Sequence, residues 1–271
     1  MPKVKVGDVH LNYDLHGAGD PLLMIMGLGA SSAAWDPELV AELARSFHVI
    51  TFDNRGTGQS DKPDAPYSIE MFADDAAGVL DNLKIARAHI FGVSMGGMIA
   101  QEFALRHPAR TATLTLGCTT PGGKHAVAPP AESLKILTAP REGVAPDEVI
   151  RRGWPLGYTK KYIEENRAVL EAAIPRLLKH PTPPYAFQRQ MEGTYTLKTF
   201  DRLPQIKAPT LVVTGAEDVL IPAKNSEILA AHIPGAKLHI IPGVGHAFMT
   251  QGRAEFVKLF VPFVKSHALG A

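Results

Sequence analysis

Cysteine is all but missing from this chain of 271 residues: Cys118 stands alone. A single thiol excludes an intramolecular disulfide and a four-cysteine zinc site, and it points to a reducing, cytoplasmic compartment. A surplus of one charge is missing as well. Lys and Arg number 28 against 27 Asp and Glu, so the formal net charge is +1 and there is no global field to hold a nucleic-acid backbone or an anionic membrane. Long apolar runs are absent too. The longest, Leu22 to Ala30, is about half of the roughly 18 residues that a spanning helix needs. The opening Lys3-Val4-Lys5-Val6 alternates charge with valine where a signal peptide would build a continuous apolar stretch. Neither nucleic acid nor membrane is an expected partner. Aromatic residues are only 7%, yet hydrophobic residues reach 45% and charged residues 20%, a balance that provides a sizeable core and excludes a disordered chain. At typical domain sizes the length fits one large α/β domain or two small ones.

Proline is plentiful but uneven: half of the 22 lie between Pro121 and Pro204, less than a third of the chain. On either side of that stretch, short β-branched apolar runs alternate with amphipathic segments, the pattern of βα units around a mostly parallel sheet. Val4, Val6, Val9, Leu11, Tyr13 and Leu15 alternate with polar residues around Gly7-Asp8, which predicts an antiparallel hairpin at a sheet edge. Strands are then expected over 22–26, 48–53, 88–93 and 111–118, with helices over 36–45, 69–83 and 95–106. The alternation resumes with strands over 210–214 and 237–241 and helices over 224–233 and 253–266. Between the halves, 146–152 and 161–178 have helical spacing but are bounded or broken by Pro140, Pro155, Pro175 and Pro181. One catalytic domain from 1–120 and 204–271, with a helical cap inserted over 121–203, explains this better than two independent domains.

The strongest local signal is Gly92-Val93-Ser94-Met95-Gly96-Gly97, which follows the apolar run Ala88-His89-Ile90-Phe91 and opens the helix at Met98-Ile99-Ala100. A serine on a tight strand-to-helix turn needs small neighbours, and it sits at a helix N-terminus where N–H groups favour developing negative charge. Ser94 is therefore the candidate nucleophile. A neutral serine needs a base and an orienting acid, and both candidates lie in loops past the ends of late strands. Of eleven histidines, only His246, in Gly243-Val244-Gly245-His246, occupies a glycine-flanked loop late in the chain. The strand 210–214 runs into Gly215-Ala216-Glu217-Asp218, where only one of the two acids can point at His246. Asp218 is preferred, because the apolar Val219-Leu220-Ile221-Pro222 that follows would bury and fix its carboxylate. Oxyanion donors are expected from the N–H of Met95 and, in the Gly27-Leu28-Gly29 loop, the N–H of Leu28.

With these pieces in place the chain resembles α/β-hydrolase fold serine hydrolases over nearly its whole length. The carriers are Met26-Gly27-Leu28-Gly29, Asp53-Asn54-Arg55-Gly56-Thr57-Gly58-Gln59-Ser60, the turn at Ser94, Gly215-Ala216-Glu217-Asp218 and Gly245-His246. Met26 departs from the histidine that many members carry there. The resemblance implies a mostly parallel twisted sheet with helices on both faces and an inserted helical cap, and a bracing role for Arg55 and Asp53. It is greatest to small bacterial carboxylesterases and lactonases, including enol-lactone and acyl-homoserine lactone hydrolases. The implied chemistry is acyl transfer from a small-molecule ester or lactone through Ser94, with no cofactor and no metal. Ser94 excludes the alkyl-enzyme chemistry of dehalogenases and epoxide hydrolases, which need aspartate at the turn. A cofactor-free perhydrolase or haloperoxidase, and a small-molecule receptor on the same scaffold, remain alternatives. Expected pocket residues are Trp154, Tyr158, Tyr185 and Met191 in the cap, with Trp35, Val219 and Phe248 outside it; Phe187 and Tyr195 are further cap aromatics. No oligomeric state follows from the sequence.

Overall fold

The computed structural model describes residues 2–269; Met1, Gly270 and Ala271, the extreme ends of the two expected catalytic segments, lie outside the described residues. Strands β1 (Lys3–Val6) and β2 (Val9–His16) form a hairpin whose two-residue loop is Gly7-Asp8, with Val6 opposite Val9. Gly7 takes a φ of +54°, open to glycine at no steric cost. Then come β3 (Asp20–Ile25), α1 (Pro37–Ala44), β4 (Phe47–Phe52), α2 (Ile69–Asn82), β5 (Ala88–Val93), α3 (Met95–Arg106) and β6 (Thr111–Gly117). Four helices follow, α4 (Ala131–Leu137), α5 (Pro146–Gly157), α6 (Lys160–Leu177) and α7 (Pro184–Thr194). The chain then returns through β7 (Thr210–Gly215), α8 (Lys224–His232), β8 (Lys237–Ile241), α9 (Phe248–Gln251) and α10 (Arg253–Lys265).

The eight strands make one sheet in the order β1-β2-β4-β3-β5-β6-β7-β8. The hairpin is antiparallel to its neighbours and every other pairing is parallel. All residues of β5, β6 and β7 are buried, as central parallel strands covered on both faces must be. Alternate residues feed opposite cores. Leu23, Ile25 and Ile90 pack with Phe72, Ile99 and Phe103 of α2 and α3. Leu22, Met24 and Phe91 pack with Leu39 of α1 and with Phe256 and Phe260 of α10. Three helix starts are fixed by side-chain caps: Asp36 accepts from Glu38 N, Ser68 from Met71 N and Thr159 from Tyr162 N. Among the described residues no helix is long and apolar enough to cross a membrane.

The insertion differs from the sequence expectation in one respect: Pro155 and Pro175 do not end helices but lie inside α5 and α6. Each sits in the last turn, where it removes one hydrogen bond and interrupts no later turn. The break in α6 falls instead at Asn166, whose φ of −121° and ψ of 20° are not helical and whose Nδ2 donates to the Tyr162 carbonyl.

Candidate active site

Ser94 joins β5 to α3 with φ 58° and ψ −124°, a conformation that a non-glycine residue adopts only where its surroundings impose it. Its neighbours explain how. A Cβ at Gly92 would stand 2.1 Å from the Gly96 carbonyl oxygen, and one at Gly96 would stand 2.1 Å from that of Ile25. The turn thus closes only with glycine at both places. The Ser94 N–H donates to Gly117 O at the end of β6, and the Ser94 carbonyl accepts from Thr119 Oγ1 at 2.7 Å. These bonds anchor the backbone and leave Oγ facing a cavity of about 440 Å³ that Ser94 lines.

His246 and Asp218 reach the same place from adjacent strands. The two loops are laced together, Ala216 N donating to Ile241 O at 2.9 Å and Glu217 N to Val244 O at 3.0 Å. Gly215 permits the approach, since a Cβ there would meet Val244 O at 2.2 Å. His246 Nδ1 lies 2.8 Å from Asp218 Oδ2, while Asp218 Oδ1 accepts from the N–H groups of Leu220 and Ile221 at 2.9 and 2.8 Å. Asp218 is buried and its adjacent acid, Glu217, is exposed. Burial opposes a charged imidazole, but the Asp218 carboxylate and, beside it, Cys118 favour one, and the pKa of His246 is raised well above its ordinary value. His246 lines the cavity with Ser94.

The loop carrying Leu28 passes directly over the serine: a Cβ at Gly27 would lie 2.9 Å from Ser94 Cβ and 3.4 Å from its Oγ. Leu28 and Met95 both line the cavity. The loop is held by Gln190 of α7, whose Oε1 accepts from Gly29 N and whose Nε2 donates to Arg55 O, both at 2.8 Å. Asn54 Nδ2 adds a bond to Met26 O at 3.0 Å. Asp53 is a hub that accepts from Asn12 Nδ2, from the N–H and hydroxyl of Ser32 and from Gln59 N. Arg55 binds Asp75 of α2 through two hydrogen bonds of 2.6 and 2.7 Å, both groups buried. That bracing is the role the resemblance implies for Asp53 and Arg55.

The cavity takes Tyr158, Met191, Phe187 and Tyr195 from the insertion, and Leu220 and Ile221 from the turn after Asp218. Five expected pocket residues lie elsewhere. Trp35 packs against Phe91 in the core at a ring separation of 5.4 Å and borders a different cavity with Asp53 and Arg176, and Phe248 packs against Phe256 at 5.3 Å. Trp154 is spent on the insertion's own small core with Leu170 and Ile174. Tyr185 is exposed and its hydroxyl donates to Lys62 O, and Val219 points to solvent while its two successors turn inward. Three residues that the sequence reading missed stand out: Gln190, Arg141 and Cys118. Cys118, just past β6, has its Sγ within 4.8 Å of both an Asp218 oxygen and a His246 ring nitrogen, the one cluster of metal-ligand type among the described residues. Both Asp218 oxygens in that cluster are already committed to hydrogen bonds. The position of Cys118 just past the C-terminal end of a core strand is the signal that the sequence offers for it.

Fold and site together define an enzyme of the hydrolase class. Residues 15–259 match the Alpha/beta hydrolase family, and the chain belongs to that family. A protein of Azorhizobium caulinodans named as a carbamate hydrolase is 32% identical over 263 residues, 97% of this chain and 98% of its own. Among solved structures, the enol-lactonase from Burkholderia xenovorans is 27% identical with a TM-score of 0.84, covering 97% of this chain and 100% of that one. Est816, described as an N-acyl homoserine lactone degrading enzyme, is 31% identical with a TM-score of 0.82 over 97% and 100% of the two chains.

Proposed function

We propose that the protein hydrolyses carboxylic esters or lactones of small molecules through Ser94, His246 and Asp218, by way of an acyl-enzyme. The observation that carries this reading is the 2.8 Å pairing of His246 Nδ1 with a buried, doubly anchored Asp218 carboxylate, on the cavity into which the strained Ser94 projects. With Nδ1 held by Asp218, Nε2 is the nitrogen free to take a proton. Ser94 Oγ attacks the carbonyl carbon as its proton passes to His246, and the oxyanion is received by the N–H groups of Leu28 and Met95. Collapse expels the alkoxide, which takes that proton; in a lactone it stays tethered to the acyl chain. Water then attacks the acyl-enzyme, giving its proton to His246, which returns it to Ser94 Oγ as the carboxylic acid leaves.

Segment 121–203 acts as a cap that shapes the acyl pocket, a role supported by Tyr158, Phe187, Met191 and Tyr195 on the cavity wall. This chemistry requires no cofactor or metal. The lone, buried Cys118 supports a cytoplasmic setting. The reading is tested by Ser94→Ala: hydrolysis of p-nitrophenyl butyrate falls to background while circular dichroism and the melting transition remain those of the wild type. Sustained turnover by that folded variant refutes it.

A further inference from the structure

One cation faces the active-site cavity without an acid to answer it. Arg141, in the connection between α4 and α5, borders neighbouring cavities, two of which Glu142 lines as well, and it lines the same cavity as Ser94 and His246. It carries the one permanent charge on that wall, and no Asp or Glu lines it among the described residues. The guanidinium lies over the ring of Phe187, its central carbon 3.4 Å from the ring centroid. Phe187 in turn abuts the oxyanion loop, since a Cβ at Gly29 would stand 2.5 Å from its ring. The arginine is thus stacked on a side chain that touches the loop over Ser94. Arg151 is paired with Asp147 and Glu171, Arg152 with Glu148 and Arg189 with Asp64 and Glu192; Arg176, which has no ion pair among the described residues, donates to the Trp35 carbonyl and does not line this cavity. Arg141 is half-buried, no carboxylate comes within ion-pair distance of it among the described residues, and burial alone pulls its pKa down. Partial desolvation of an unpaired guanidinium is a cost, which stacking on an aromatic face offsets only in part. Its five donors remain available in a planar fork suited to a carboxylate.

We propose that the substrate carries, besides its scissile carbonyl, a carboxylate that Arg141 binds inside the cavity. The proposal rests on the ester or lactone reading above for the position of the carbonyl, and it makes Arg141 a specificity determinant for anionic substrates. The carboxylate can sit on the acyl side or on the alcohol side, and paired esters separate the two. On the acyl side, mono-p-nitrophenyl adipate is compared with p-nitrophenyl methyl adipate; on the alcohol side, 4-acetoxybenzoate with its methyl ester. The wild type is expected to favour the anionic member of at least one pair by roughly 10-fold or more in kcat/KM, the size of one hydrogen-bonded charge pair. Arg141→Gln brings that ratio close to that of the uncatalysed reaction, and Arg141→Lys, keeping the charge but losing the fork, retains part of it. The proposal is overturned if neither anion is favoured, or if the preference survives in Arg141→Gln.

A binding measurement separates failure here from failure of the esterase reading. Monomethyl adipate is titrated calorimetrically into Ser94→Ala, with Arg141 intact or changed to Gln. Loss of binding with Arg141→Gln supports the carboxylate site even if no ester is cleaved by the wild type; equal binding by both, or none by either, rejects it even if neutral esters are cleaved rapidly.

Discussion

Because burial disfavours a charged imidazole while the Asp218 carboxylate, with Cys118 beside it, favours one, the pKa of His246 is raised above its ordinary value. Only the unprotonated ring accepts the Ser94 proton, so kcat/KM for a neutral ester should rise with pH along a limb whose midpoint lies above the ordinary histidine value of about 6.5. Asp218→Asn removes the larger of the two groups that raise the pKa, the other being Cys118, and leaves the burial that lowers it. The midpoint of the limb then moves to lower pH, and kcat falls by a factor on the order of a thousand or more. Glu217→Gln, on an exposed side chain, leaves both near the wild-type values. An unmoved limb in Asp218→Asn, or a larger loss in Glu217→Gln, contradicts the assignment of the acid. Cys118 behaves differently from either. Burial raises the pKa of its thiol despite the imidazole beside it, so the reactive thiolate is scarce. Iodoacetamide at neutral pH should leave Cys118 unmodified in the native protein and label it after unfolding. Rapid alkylation of the folded chain, read by mass spectrometry, is the contrary result.

Gln190 shows how one element governs another. From α7 it holds Gly29 of the oxyanion loop and the carbonyl of Arg55, and it is itself fully buried. Gln190→Leu leaves the half-buried N–H of Gly29 and the buried carbonyl of Arg55 without partners, a destabilisation of about 1–3 kcal/mol for the buried group and less for the other. The melting temperature should fall, and kcat should fall more than KM changes, because the loop that positions Leu28 loosens while the pocket persists; a variant with wild-type kcat contradicts this coupling. The same scale explains what the sequence made legible. The hairpin, the buried strand before Ser94 and the glycines around it are written locally: period-two alternation, a run of apolar residues and positions where a Cβ meets backbone within 2.1 Å. Asp218 could be preferred to Glu217 because the apolar turn after it also lies next to it in sequence. The pocket could not be read that way. Whether Trp154 faces a substrate or Leu170 depends on how α5 meets α6, and Trp35 reaches Phe91 across two layers. Arg141 and Gln190 gain their significance only from partners far along the chain.

Across the whole molecule, the length that fitted one domain or two resolves into a single sheet, with α4 to α7 entering between β6 and β7. The two parts differ in how much apolar surface they bury. Phe91 alone meets Trp35, Phe256 and Phe260 at ring separations of 5.2 to 5.4 Å, while the insertion's own cluster has three buried residues and α4 buries only Ser133. Local opening should therefore be easiest in α4 to α6, and amide hydrogen exchange there should outpace that in β5, β6 and α3. Equal protection across the chain would contradict this difference in burial.

The central claim is that Ser94 forms the acyl-enzyme, and covalent trapping tests it most directly. After reaction with a fluorophosphonate and proteolytic digestion, mass spectrometry should find one adduct per chain, on Ser94, with ester hydrolysis abolished in proportion. An adduct on another residue, or full activity in a protein that carries none, would contradict the account.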